Sequence, residues 1–237
     1  MQTQDIDYRA DAVMRGYLAF DETRAGRRPG VLVFHEGLGL GEFVMERARR
    51  LAELGYAAFA ADMYGDRRQA RNLTEVAKLV GGLRGAPETL RGRGRAALAT
   101  LAAMPQVDSG RLAAIGFCFG GSVVLELARD GADLKAPVSF HGVLTTSTPA
   151  APGRVKASVL VLTGADDPLA PPEQVAAFEA EMRAAEVRDW QLIAYGNTLH
   201  GFTNPAADGS MLRSELYSAQ ADRRSWASMR SLFDEVL

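Results

Sequence analysis

The sequence predicts one α/β domain in which a mostly parallel sheet is covered by helices on both faces. Three observations predict this class. Short apolar, β-branched runs alternate along the chain with longer segments of helical periodicity. The 237 residues, 47% of them hydrophobic, suffice to bury a large core. No internal repeat or low-complexity linker interrupts the chain, so a single domain over residues 1–237 is expected.

Strands are expected where short runs of β-branched or small apolar residues are bounded by turn-forming residues. The first is a strand or hairpin, and the sequence GRRPG at 26–30 predicts a turn before the second. In chain order the expected strands are 13–20, 31–34, 57–61, 112–115, 138–141, 158–163 and 190–195.

Helices return the chain to the sheet between most of these strands. In chain order they are expected at 42–54, 74–83, 87–104, 120–129, 172–186 and 210–233. The first has arginines opposite one apolar stripe, which consists of Phe43, Val44, Ala48, Leu51 and Ala52, and Gly55 ends it. In the last, the side chains expected to face the sheet are Leu212, Leu216, Ala219, Trp226, Met229 and Phe233. No segment is large enough for an extensive separate lid domain.

Charge and composition exclude several classes of partner. Lys and Arg total 27 against 29 Asp and Glu, so no strong positive field attracts nucleic acid or anionic lipid. No stretch approaches the roughly 20 apolar residues that span a bilayer. The first residues, MQTQDIDYRADAVMRGY, lack the basic start and apolar run of a secretory signal, so a cytoplasmic location is expected.

Cysteine and histidine are scarce, which limits the chemistry. The single cysteine, Cys118, excludes an intrachain disulfide and a thiolate-rich metal site. The three histidines are His35, His141 and His200. The chain has no His-Glu-x-x-His helix and no close-spaced histidine pair, so no metal site is expected. Packing or hydrogen bonding is the expected role of His35 and His141.

The sequence GFCFGG at 116–121 lies directly between an expected strand and an expected helix. A nucleophile elbow has this arrangement, because flanking glycines allow the tight, strained turn that lifts the nucleophile above the sheet. Cys118 takes the nucleophile position, and the N-terminus of the next helix favours a thiolate and later an oxyanion. The alternative is a buried structural cysteine in a glycine-rich turn.

An elbow of this kind requires an acid and then a base, each in a loop after a later strand. Asp166 and Asp167 follow the strand at 158–163, and His200 follows the strand at 190–195. Open parallel sheets build their sites in such loops. His200 would accept the thiol proton and Asp167 would orient its ring. A helix-capping turn is the alternative for the two aspartates.

The sequence FHEGLG at 34–39 ends an early strand and offers an oxyanion hole. In such sites this loop supplies one amide and the residue after the nucleophile supplies the other, which makes Gly37 and Phe119 the candidates. Glu36 is unexpected there, because a carboxylate beside a thiol raises the thiol's pKa. Glu36 is therefore either a surface residue or a regulator.

Several segments together resemble the dienelactone hydrolases, a branch of the α/β-hydrolase fold with a cysteine nucleophile. They are HEG at 35–37, ADMYG at 61–65, the elbow at 116–121, the loop at 164–171 and HGFTNP at 200–205. The resemblance spans nearly the whole chain. It implies a triad of Cys118, Asp167 and His200, with Glu36 as a fourth catalytic residue that holds the thiol until substrate displaces it. The spacing of the acid loop favours Asp167 over Asp166.

The implied substrate is a small lactone or ester, cleaved through a thioester without a cofactor, by a monomer or a small homo-oligomer. Two positions depart from the family. Where dienelactone-cleaving members grip the substrate carboxylate with arginines, this sequence has Asp66 and Asn204. Arg67 is adjacent and could substitute, and Tyr64 and Phe202 are the other candidate pocket residues.

Other functions remain open at this point. Glutamine amidotransfer also uses a Gly-x-Cys-x-Gly elbow, but it needs an acid two residues after the histidine, where this chain has Phe202. The alternatives that remain are a non-catalytic binding protein of the same fold, a redox-sensing thiol, and a carboxylesterase or thioesterase with an unrelated substrate.

Overall fold

A twisted eight-stranded sheet forms the centre of the computed structural model, which describes residues 1–237. The strands are β1 (Gln2–Arg9), β2 (Val13–Phe20), β3 (Arg28–Phe34), β4 (Ala57–Ala61), β5 (Val107–Phe117), β6 (Ala136–Phe140), β7 (Val159–Gly164) and β8 (Trp190–Tyr195). Their order across the sheet is β1-β2-β4-β3-β5-β6-β7-β8. The first two strands pair antiparallel with their neighbours, and all pairs from β4 to β8 are parallel. The predicted α/β class is confirmed.

Six helices cover the sheet. They are α1 (Glu42–Glu53), α2 (Leu73–Arg84), α3 (Pro87–Ala102), α4 (Phe119–Arg129), α5 (Pro172–Ala184) and α6 (Ala219–Val236). On one face α1 and α6 pack on the alternate side chains of the central strands, as Leu51 and Met229 illustrate. On the other face α3, α4 and α5 do the same through residues such as Leu101, Val123 and Phe178. No helix has both the length and the apolar composition needed to cross a bilayer.

The sheet departs from the prediction at its edges. The strand β1 was not expected, because its sequence QTQDIDYR contains few apolar residues and most of it is exposed. It pairs with β2 along its whole length as an edge strand, where polar side chains are tolerated. The turn expected at 26–30 is shorter, since Arg28, Pro29 and Gly30 already pair with β5.

The predicted C-terminal helix is wrong in its first turns. The helix α6 begins only at Ala219, where the Ser218 side chain accepts a hydrogen bond from the Ala221 N–H. The preceding residues 206–218, here called the covering segment, are irregular and lie over the carboxyl ends of the strands. As a result Leu216 is 47% exposed instead of packing on the sheet.

Arg47 is the exception among the arginines expected on the outer face of α1. Its side chain is 3% exposed and donates to Asp222 Oδ1 of α6 at 3.0 Å. The guanidinium also lies 5.4 Å from the centre of the Trp226 ring. The cation is therefore paired and stacked inside the interface between the two helices.

Candidate active site

The loop between β5 and α4 holds Cys118 in a strained turn. Its backbone has φ 53° and ψ −113°, a conformation that residues with a side chain rarely adopt. A Cβ at Gly116 would lie 2.0 Å from the Gly120 carbonyl oxygen, and one at Gly120 would lie 2.3 Å from the Phe34 carbonyl oxygen. The turn therefore requires both glycines, as the sequence pattern predicts.

His200 lies beyond β8 and contacts Asp167, which lies beyond β7. The Nδ1–H of His200 donates to Asp167 Oδ2 at 2.7 Å, and both side chains are fully buried. The other oxygen of Asp167 accepts from the Leu169 N–H at 2.8 Å, which fixes the carboxylate plane. The neighbouring Asp166 is exposed. The structure thus brings His200 together with Asp167 and leaves Asp166 outside the site.

The other ring nitrogen of His200 is free toward the nucleophile. Nε2 is buried and makes no hydrogen bond. Cys118 Sγ lies within 4.8 Å of a ring nitrogen of His200, a separation that a rotation of the thiol can shorten. Burial alone lowers the pKa of His200, but the charge of Cys118 and the hydrogen bond that His200 donates to Asp167 outweigh it and hold that pKa well above its usual value. Together these interactions favour the protonated form of His200.

Glu215, in the covering segment, is a third group at this point of the site. One of its carboxylate oxygens lies within 4.8 Å of both Cys118 Sγ and a ring nitrogen of His200. Sequence reasoning missed it because its segment was expected to be helical. The N-cap Ser218 is the signal that would have placed the start of that helix later, at Ala219, but no local pattern marks Glu215 itself. A thiol, an imidazole and a carboxylate are also donors that a zinc ion accepts.

Glu36 follows β3 and points its carboxylate into the smaller of two cavities beside Cys118. Its Oε2 accepts from Asn204 Nδ2 at 3.1 Å, and no hydrogen bond joins it to the thiol. Burial, and then the charge of Glu215, raise the pKa of Glu36 to about 7. The contact in which Glu36 holds the thiol, implied by the family resemblance, is absent from this conformation, because Asn204 binds the carboxylate instead.

The Glu36–Gly37 peptide is held by His35. The Met63 N–H donates to His35 Nε2 at 3.1 Å, so the proton sits on Nδ1, which donates to the Glu36 carbonyl oxygen at 2.6 Å. Burial lowers the pKa of His35 and keeps the ring neutral. In a trans peptide the Gly37 N–H points away from that carbonyl. The Gly37 N–H donates to no backbone carbonyl. Phe119 is the first residue of α4, and amides in the first turn of a helix have no partner within that helix.

His141 supports the elbow from beneath. Its Nδ1 accepts a hydrogen bond from the Cys118 N–H at 3.1 Å, and its Nε2 contacts Thr203 Oγ1 at 2.8 Å. Burial and the nearby charges of His200 and Arg47 place the pKa of His141 well below its usual value. His35 and His141 are thus both neutral, hydrogen-bonded histidines of the kind expected from the sequence.

A model of the dienelactone hydrolase family matches residues 14–237. The chain belongs to the dienelactone hydrolase family. Its α/β-hydrolase fold, expected from the sequence, is confirmed, and the chain is an ester-bond hydrolase of this family.

Individual relatives agree with this assignment. A solved structure named m3DLH is 47% identical, with a TM-score of 0.95 over 100% of this chain and 98% of that one. The dienelactone hydrolase-like promiscuous phosphotriesterase P91, from metagenomic libraries, is 43% identical, with a TM-score of 0.92 over 99% of this chain and 98% of that one. A Yersinia pestis protein described as "putative carboxymethylenebutenolidase" is 29% identical over 234 residues, 92% of this chain and 82% of that protein.

Two cavities meet at Cys118. The smaller, of about 210 Å³, lies between the loop after β3 and the covering segment. The larger, of about 850 Å³, is lined by Phe119 and by one face of α2, including Val76 and Val80. The larger cavity has enough volume for an extended apolar group, which can be either the acyl or the alcohol part of an ester.

The three candidate pocket residues do not line these cavities. The Arg67 guanidinium binds Asp5 on β1 at 2.6 Å, a partner hidden from the prediction because β1 was not expected. Phe202 is fully buried against His141. Tyr64 packs behind the oxyanion loop and donates to the Gly37 carbonyl oxygen at 2.8 Å.

Proposed function

We propose that this member of the family cleaves lactones or small carboxylic esters, with Cys118 as nucleophile, His200 as general base and acid, and Asp167 as the group that orients His200. One observation carries the proposal. A buried His200 bound to Asp167 presents its free Nε2 toward a cysteine in a strained elbow. Nucleophile, base and orienting acid in this order form the catalytic triad of this fold.

The proposed reaction has two halves. His200 Nε2 takes the thiol proton of Cys118 while Sγ attacks the carbonyl carbon, and the amides of Gly37 and Phe119 hold the resulting oxyanion. The carbon–oxygen bond then breaks, and His200 gives its proton to the leaving alkoxide. Water attacks the thioester while His200 takes a proton from it, and the carbon–sulfur bond breaks to release the carboxylic acid product. Asp167 stabilises the imidazolium in both halves through Nδ1.

Glu36 has a separate proposed role in readying the thiol. Its raised pKa, about 7, makes the Glu36 carboxylate suited to accept a proton near neutral pH, and it lines the smaller cavity beside Cys118. If the hydrogen bond from Asn204 breaks, the Glu36 carboxylate is free to approach the Cys118 thiol before substrate binds.

The test is the initial rate of hydrolysis for dienelactones, simple lactones and short-chain nitrophenyl esters, with wild type and Cys118→Ala measured side by side. We expect turnover of at least one class by the wild type and its loss in Cys118→Ala and in His200→Ala. Rates unchanged by EDTA exclude a metal held by Cys118, His200 and Glu215 from the reaction. Normal rates in either variant would overturn the triad.

The same assay, extended to thioesters and long-chain esters and combined with the oxidation rate of Cys118, separates the alternatives. Complete inactivity toward the whole panel would favour a non-catalytic protein. Rapid oxidation of Cys118 at neutral pH without ester turnover would favour a redox-sensing thiol. Activity confined to thioesters or to long esters would favour an esterase with an unrelated substrate.

Phosphotriester hydrolysis is a second candidate activity, favoured by the 43% identity to the promiscuous phosphotriesterase P91 over nearly the full chain. Cys118 Sγ would attack phosphorus, an aryloxide would leave, and water would cleave the phosphorus–sulfur bond. A nitrophenyl diethyl phosphate measures it directly. Nitrophenol release that is lost in Cys118→Ala supports this activity, and no release above the uncatalysed rate refutes it.

A further inference from the structure

Acidic side chains outnumber cationic ones in the lining of the two cavities that meet at Cys118. The acidic residues that line them are Glu36, Glu126, Asp208 and Glu215. Arg84 is the one cationic residue among the lining side chains. Its Nη2 donates to the Thr145 hydroxyl at 2.8 Å and to the Thr145 carbonyl oxygen at 3.1 Å.

These acidic groups differ in how far their charges are compensated. Glu126 is neutralised by two arginines, with Arg91 at 2.8 Å and Arg129 at 3.1 Å. Glu36 accepts one hydrogen bond from a neutral amide. The Glu215 carboxylate takes part in no salt bridge and no side-chain hydrogen bond of the chain. The His200 ring, within 4.8 Å, is therefore the one group of the chain that can offset the Glu215 charge beside the nucleophile.

The backbone fixes Glu215 beside the reacting groups. The Glu215 N–H donates to the Leu212 carbonyl oxygen at 2.8 Å, and the next N–H, of Leu216, donates to the His200 carbonyl oxygen at 2.9 Å. This tie to His200 keeps the carboxylate oxygen within 4.8 Å of Cys118 Sγ. When Cys118 Sγ attacks a carbonyl carbon, the substituents of that carbon therefore lie close to the Glu215 carboxylate.

We infer that Glu215 is a specificity-determining residue that selects against an anionic group near the scissile carbonyl. The preferred substrates are accordingly neutral or cationic esters and lactones. The inference rests on the proposed ester hydrolysis at Cys118. It is consistent with Arg67, which binds Asp5 on β1 and supplies no cation to the cavities.

Coulomb repulsion sets the size of the effect. Two like charges a few ångströms apart at a partly solvated site repel enough to change a binding constant by about tenfold or more. Salt screens such a pair only in part, because the site is half-buried. The discrimination should therefore weaken, but persist, at high ionic strength.

The experiment compares three nitrophenyl esters that share a leaving group and differ in the charge at the end of a similar acyl chain. They are nitrophenyl pentanoate, the mono-nitrophenyl ester of glutaric acid and nitrophenyl 4-trimethylammoniobutyrate. The readout is the ratio of kcat/KM for the anionic ester to that for the neutral ester. This ratio cancels any general loss of activity caused by a substitution.

In wild type we expect a ratio well below one, and in Glu215→Gln a rise of about tenfold. The cationic ester should lose activity relative to the neutral ester in the same variant. Glu22→Gln, which removes an equal charge from an exposed position, should leave both ratios unchanged. If Glu215→Gln does not fold, the salt dependence of the wild-type ratio gives the same test.

The inference would be overturned by a wild-type preference for the anionic ester, which Arg84 would then explain, or by a ratio that Glu215→Gln and salt leave unchanged. Failure of the proposed function has a different signature. In that case the neutral ester is not hydrolysed at all, or its hydrolysis survives Cys118→Ala.

Discussion

The elbow around Cys118 and the covering segment at 206–218 both touch the nucleophile, but they are held in different ways. At the elbow, backbone atoms approach so closely that a single added methyl group would lie 2.0 Å from the Gly120 carbonyl oxygen. The covering segment has no helix or strand and is attached to the rest of the fold by a few backbone hydrogen bonds, such as Ser218 N–H to the Phe202 carbonyl oxygen at 3.1 Å. Close backbone packing fixes the nucleophile at the elbow. By contrast, a few hydrogen bonds hold the covering segment, whose side chains surround the substrate cavity.

This difference predicts two kinds of mutational response. Changes on the elbow side should abolish turnover or destabilise the fold. Changes in the covering segment should alter selectivity and leave the free energy of unfolding nearly unchanged. The following substitutions test that contrast, beginning with the largest expected effect.

Asp167→Asn should lower kcat by about 10³–10⁴-fold, because His200 loses the acceptor that fixes its tautomer and stabilises its positive charge. The side chains are similar in size, so the thermal unfolding midpoint should change little. Asp166→Asn is the matched control, since Asp166 is exposed and should keep wild-type kcat. A normal kcat in Asp167→Asn, or an equal loss in both variants, would contradict the assigned role.

Gly120→Ala should destabilise the fold by more than about 3 kcal/mol, since the new methyl group would lie 2.3 Å from the Phe34 carbonyl oxygen and only the backbone could yield. Gly92→Ala is the opposite case. That glycine lies in α3 with open space around its Cβ position, so alanine should stabilise the helix by up to about 1 kcal/mol. Urea unfolding of both variants measures the difference, and a stable Gly120→Ala protein would refute the steric argument.

Glu36→Gln tests the electrostatic link between the two regions. The pKa of Glu36 is raised to about 7 in the folded state, so the native protein binds more protons than the unfolded chain between about pH 4.5 and 7. Wild type should therefore lose stability relative to Glu36→Gln, by about 2 kcal/mol, as the pH rises through this window. Chemical unfolding at pH 5 and pH 8 gives the comparison. A difference between the two proteins that is independent of pH would show that Glu36 titrates normally.

Leu212→Ala should give the smallest effect on the fold. The side chain lines both cavities, so KM for an ester with a long acyl chain should rise about threefold, with less than about 0.5 kcal/mol change in unfolding free energy. Leu216→Ala, at an exposed position of the same segment, should change neither quantity. A loss of kcat in Leu212→Ala as large as that in Asp167→Asn would contradict the proposed difference between the elbow and the covering segment.

Local patterns were sufficient for most of the sheet and for the order of the site residues. The elbow glycines, the apolar runs and the loops after β7 and β8 predicted that Cys118, Asp167 and His200 would meet at one edge. Parallel strands all end at that edge, so sequence order translates directly into proximity. Even the choice between Asp166 and Asp167 agrees with the hydrogen bond to His200.

Where prediction failed, the missing information was nonlocal. The strand β1 is polar and is stabilised by pairing with β2, which no pattern within its own residues reveals. Arg67 was expected near substrate, yet its partner Asp5 lies on that unexpected strand. Leu212 and Leu216 are spaced as on a helix, but the segment forms hydrogen bonds to the loops around His200 instead.

Hydrophobic periodicity and steric requirements act over a few residues, so the fold class, the parallel strands and the candidates Cys118 and His200 could be predicted from the amino-acid sequence. The choice of Asp167 over Asp166 came from the resemblance to the family's acid loop. The tertiary structure alone decided that Asn204 binds Glu36, that His141 supports the Cys118 amide, and that Glu215 faces the nucleophile. These contacts join residues far apart in the chain. Their free energies depend on distances and burial that exist only once the sheet has formed.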